Sequence, residues 1–103
     1  MSTEIQTEIE KNIFKVTQVI EQYYRKRGNI VRNNLLLNKM YFDSELENID
    51  NIILDLIQIK HKLYYFNYKQ QKSDNTEMFD NNQIFDKLQF YTDHINTYES
   101  KLH

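Results

Sequence analysis

The chain has 103 residues and a formal charge of -2, enough for one domain with a thin core and too near neutrality to draw it toward nucleic acid or anionic lipid as a whole. It contains no Cys, no Pro and a single glycine, Gly28. That composition excludes a disulfide framework, a thiolate metal site, a Cys nucleophile and a Gly-rich phosphate loop, and it leaves few of the residues that punctuate strands and tight turns.

Ile5, Ile9, Ile13, Val16, Ile20 and Tyr23 recur at spacings of three and four, which is one stripe on a helix. The stripe continues through Ile30 or Val31, Leu35, Leu37 and Tyr41. Gly28 interrupts it after the basic run Arg25-Lys26-Arg27. Two readings are open there. Either one long helix runs from about residue 3 to 41 and tolerates the glycine at roughly 1 kcal/mol, or Gly28 caps a first helix and the chain folds as a four-helix bundle.

Ser44 followed three residues later by Glu47 has the form of a capping box and predicts a helix start. From there Leu46, Ile49, Ile53, Leu56, Lys60 and Leu63 form a seam, widened by Ile52, Ile59 and Phe66 and again by Ile57 and Tyr64. So broad an apolar face requires cover on more than one side. This helix is expected over about 44–70, with Ile53 and Leu56 in the core. Residues 71–80 are polar and aperiodic, a loop. A last helix over about 81–102 carries Ile84, Leu88, Tyr91, Ile95, Tyr98 and Leu102 in the alternating spacing of a coiled-coil seam, with Asp80 or Asn81 as its cap.

Charge order adds topology. Residues 25–42 hold Arg25, Lys26, Arg27, Arg32 and Lys39 and no acid; residues 43–59 hold Asp43, Glu45, Glu47, Asp50 and Asp55 and no base. A turn at Asp43 lays these blocks side by side with opposite sign. The expected fold is therefore all-α, a single domain over 1–103. It is an antiparallel helical hairpin or three-helix bundle with coiled-coil character, its last helix beside the basic part of the first. With the turn at Asp43, the second helix ends near the level of Phe14 to Val16. Ile5, Ile9 and Ile13 would then overhang as an exposed apolar stripe, dispensable for folding and available to a partner.

Function follows only by elimination. His61, His94 and His103 form no pair with metal-ligand spacing, and no carboxylate or serine stands in a pattern that marks catalysis. No cofactor, metal or small-molecule substrate is expected. The segment Tyr64-Tyr65-Phe66-Asn67-Tyr68-Lys69 is read with Tyr64 and Phe66 in the core and Tyr65 and Tyr68 as a protein contact. Arg25, Lys26, Arg27 and Arg32 form a basic patch whose first expected partner is the acidic block across the hairpin. Residues 1–10 are polar and acidic, and no apolar run approaches the ~20 residues that span a bilayer, so an intracellular, cytoplasmic or nuclear, location without membrane contact is expected. These readings converge on a non-catalytic protein–protein interaction module, a small helical subunit or adaptor that binds another protein or itself. The alternatives are a small phage- or parasite-type effector or inhibitor, and a weak nucleic-acid binder that uses the block from Arg25 to Lys39.

Overall fold

The computed structural model describes residues 3–37, 44–72 and 81–102. These form three helices, α1 (Thr3–Leu36), α2 (Ser44–Lys72) and α3 (Asn81–Lys101), with no strand among them. The all-α three-helix bundle read from the apolar spacing is the observed fold. The helix starts match the expected ones, and Glu45 and Glu47 occupy the first turn of α2, where carboxylates favour the positive end of the helix dipole. At the other ends α1 stops at Leu36 rather than near residue 41, and α2 runs to Lys72, into the stretch expected to be a loop. Lys39, Tyr41, Asp43, Asp80 and His103 lie outside the described residues.

α1 and α2 are antiparallel, and the polar contacts between them fix their levels. The Arg27 Nε donates to Asp50 Oδ1 at 2.6 Å. Near the other end, the Gln6 side-chain amide donates to Asn67 Oδ1. Asn67 thus lies beside the start of α1. This register is offset by about ten residues from the one a turn at Asp43 implies. The buried part of α1, Ile5 to Tyr23, coincides with the buried part of α2, Ile49 to Phe66.

The overhang expected at the N-terminus is therefore not there. Ile5 is 1% exposed and Ile9 0%, and Ile13 is half-buried against the core. α3 runs parallel to α1, joined to it by Asn12–Thr92 and Lys15–Glu99. It therefore lies beside the N-terminal two-thirds of α1 and not beside the basic block. The part of α1 that carries few core residues is its C-terminal third, which includes the exposed Leu35 and Leu36.

Gly28 does not break α1, so the four-helix alternative is not formed. The glycine is exposed and helical, and a Cβ built on it meets nothing within 4 Å. The helix continues because one exposed glycine costs only about 1 kcal/mol and Arg27 is tied to α2 one residue earlier. α3 follows its expected seam, with Ile84, Leu88, Tyr91 and Ile95 buried and Tyr98 and Leu102 packed partly against the core. Leu56, Leu63 and Ile53 fill the centre of α2.

Two stability measurements check this packing. Gly28→Ala should stabilise the chain by about 0.5–1 kcal/mol, because the site has room and Ala restricts the unfolded chain; chemical denaturation reads the change. Deletion of residues 1–11 should lower the melting temperature sharply, since loss of a buried aliphatic side chain costs about 2–5 kcal/mol and two would go; an unchanged melt would restore the overhang.

Candidate functional site

The three helices leave two kinds of surface that could serve a function. One is the trough between α2 and α3. α3 packs chiefly on α1 and touches α2 along a narrow strip, so the gap on the outer side stays open. A shallow depression of about 200 Å³ lies there, bordered by Asp55, Gln58, Lys62, Phe90 and His94. It merges at Phe90 and His94 with a shallow area along α3 that includes Asp93, Thr97 and Lys101. The Phe90 and His94 rings tilt together with centroids 4.5 Å apart, and His94 Nδ1 lies 3.2 Å from the Phe90 carbonyl oxygen.

The trough holds an acid, a base and an imidazole, but it is open along its length. Asp55, Asp93 and His94 are exposed. None of the three is enclosed or desolvated. No group of three or more metal-ligand side chains occurs among the described residues, and no described helix is long and apolar enough to cross a membrane.

One polar relay does link all three helices. The Tyr23 hydroxyl of α1 donates to the Tyr98 carbonyl of α3 at 2.5 Å, and the Tyr98 hydroxyl donates to Asp55 Oδ2 of α2 at 2.6 Å. The hydrogen bond to Asp55, then burial, then the negative charge of Asp55 push the Tyr98 phenol up to about 12. Burial raises Tyr23 and Tyr91 as well. These groups hold a proton more firmly; they do not release one at neutral pH. The relay is a brace between helices.

The second surface is the outer face of α2. Tyr65 and Tyr68, expected as a contact, are each 55% exposed. Tyr64, expected in the core with Phe66, is instead 49% exposed. Phe66 is buried and meets Tyr91 of α3 at 6.1 Å between ring centroids. Leu54 is exposed on the same side of α2 as Tyr65 and Tyr68, and Ile57 is half-buried beside it. Lys69 stands over the Tyr65 ring at 5.4 Å and Lys60 over Tyr64 at 5.9 Å, contacts that steady the rings at the surface. The interface residues expected at Ile5, Ile9 and Ile13 are thus covered within the chain, and the aromatic pair is the part of that expectation that stays in solvent.

The basic patch is divided. Arg27 is engaged by Asp50, Lys26 is half-buried, and Arg25 and Arg32 are exposed two turns apart. The ion pair crosses between the blocks of opposite sign, as their order in the sequence predicts. No protein-family model matches the chain, and no curated protein or solved structure shows significant similarity to it.

The brace at Tyr98 gives a pH-dependent test. An unfolded tyrosine titrates near 10.0 and Tyr98 near 12. The bond's stabilisation is therefore complete below pH 10 and fades as pH rises toward 12. Tyr98→Phe should cost about 1 kcal/mol at neutral pH, and its deficit against the wild type should shrink across that alkaline window in thermal melts. A deficit independent of pH would mean that the ring's packing, and not its hydroxyl, is what the substitution disturbs.

Proposed function

We propose that the chain is a non-catalytic protein–protein interaction module, a small helical subunit or adaptor that works by presenting helix faces to a protein partner. The row of Leu54, Tyr64, Tyr65 and Tyr68 on the outside of α2 carries this reading. Each of these side chains is about half exposed or more, on a helix whose opposite face already fills the core. Solitary exposed apolar residues are ordinary on any protein, whereas a cluster of rings such as Tyr64, Tyr65 and Tyr68 marks a contact surface. Tyrosine suits that role because its ring contributes apolar area while its hydroxyl stays satisfied in water or at an interface rim.

Catalysis and nucleic-acid binding have less behind them. The trough lacks an enclosed, desolvated acid or base. Of the described residues in the basic block, Arg25 and Arg32 are exposed on one face of α1, too sparse a pair to follow a phosphate backbone.

Affinity capture with the tagged full chain tests the proposal. Tyr65→Glu with Tyr68→Glu should abolish capture of a partner that the wild type retains. The melting temperature should stay within a few degrees, because neither side chain is in the core. Equal capture by both proteins would reject this face as the contact surface.

A further inference from the structure

The outer side of α2 has a period as well as an exposure. Asp50, Leu54, Ile57, His61, Tyr64 and Tyr68 follow one another at four, three, four, three and four residues. The core side of the same helix, Ile49, Ile52, Leu56, Ile59, Leu63 and Phe66, alternates three and four in the same way. α2 therefore carries two heptad seams. The first is filled by α1 and α3. The second faces solvent at Leu54, Tyr64 and Tyr68, about half exposed or more, and at His61, while Ile57 packs partly against the core and Asp50 is paired with Arg27 of α1. A heptad seam is the pattern that another helix fills by knobs-into-holes packing.

The charges of α2 say which helix. Its first half holds Glu45, Glu47, Asp50 and Asp55 and no base, with Asp50 paired to Arg27 and Asp55 accepting from Tyr98; its second half holds Lys60, Lys62, Lys69 and Lys72 and no acid. A second α2 laid alongside in the same direction would set acids on acids and lysines on lysines. Laid in the opposite direction, it sets the acidic half of each copy against the basic half of the other. The seam is matched in shape under the same operation. With a two-fold axis at the level of Gln58 to Lys60, Leu54 faces Tyr64 of the second copy and Ile57 faces His61, while Tyr68 lies at the level of the Arg27–Asp50 pair. Each layer pairs a smaller side chain with a ring, and the two-fold makes every layer twice, as a closed, self-complementary interface requires.

We propose that the chain forms a homodimer in which α2 pairs antiparallel with α2 of a second copy through the seam from Leu54 to Tyr68. This inference rests on the interaction-module reading and names the partner for this face as the chain itself. The pairing covers the exposed aromatic row and leaves the faces of α1 and α3 turned away from α2 available to other proteins.

The experiment uses the full chain and measures mass by sedimentation equilibrium over a range of concentrations. The wild type should reach twice the chain mass of 12.7 kDa. Leu54→Glu with Tyr64→Glu should weaken the dimer by about tenfold or more, the scale of losing central contacts, with the helical circular dichroism retained. A second pair of variants keeps the test decisive if that protein misfolds. Glu47→Lys, and Lys69→Glu, should each dimerise poorly alone and dimerise well when mixed.

Orientation is read separately. The chain has no cysteine, so Gln58→Cys and Glu47→Cys each give one spin-label site. Labels at 58 should be close across the dimer, and labels at 47 should stand about 35 Å apart along the paired helices. Close labels at both sites would mean a parallel pair and overturn the proposal, as would a dimer indifferent to all the α2 variants. A wild type that stays monomeric at every concentration would also overturn it. If that monomer still captures a different protein through Tyr65 and Tyr68, the interaction-module reading survives without the dimer; if it captures none, both fall.

Discussion

The register of α1 against α2 is the constraint on which the rest of the bundle depends. Each helix has one buried stretch of nearly the same length, Ile5 to Tyr23 and Ile49 to Phe66. Only one antiparallel alignment lays the two stretches fully on each other. A connection of two residues, with the turn at Asp43, would slide α2 by about ten residues and leave Ile5 and Ile9 in water. Burying one such side chain is worth about 1.5–3 kcal/mol. Lengthening the connection to the seven residues between Leu36 and Ser44 costs roughly 0.6 kcal/mol per doubling. The hydrophobic term wins, α1 ends early, and the N-terminal isoleucines join the core.

Polar contacts then hold the alignment that apolar burial selects. Asn12 is buried, 6% exposed, in the middle of the α1 seam. Its amide donates to the Glu8 carbonyl, and its Oδ1 lies 2.8 Å from the Thr92 hydroxyl of α3. A slipped α3 would leave that amide oxygen without its partner, and an unsatisfied buried polar group costs about 1–3 kcal/mol. A lone Asn in a coiled-coil seam fixes register in this way. The relay from Tyr23 through Tyr98 to Asp55 does the same between all three helices at the other end of the core. Arg27 with Asp50 adds little energy at a half-exposed site; its contribution is to favour one orientation.

The same thinness that makes register so important also leaves surface behind. Three helices of this length cannot enclose every apolar side chain that the sequence places on them, because each helix meets at most two neighbours. α2 shows it most clearly: one of its heptad seams is inside the bundle and the other is outside. The reading of the chain as an interaction module, and the antiparallel pairing inferred for α2, both grow from this excess of patterned apolar surface over available cover.

The sequence by itself determined the helices, their starts, the antiparallel sense of the first pair and most of the core, because a 3–4 apolar period and blocks of opposite charge are local, one-dimensional signals. It also contained the true α1 seam, Ile5, Ile9, Asn12, Val16, Val19 and Tyr23, in strict alternation of four and three. That seam is hidden by the neighbouring Ile13 and Ile20, since hydrophobicity alone prefers an isoleucine to an asparagine. Only the tertiary structure decided where α1 stops, that Gly28 is passed through, that Tyr64 stays outside while Phe66 goes in, and which residues pin α3 to its partners. Each of those outcomes depends on what stands opposite in space. A neighbour contributed by a helix tens of residues away leaves no mark in the local period, and it is the match between distant stretches, not either stretch alone, that sets the register.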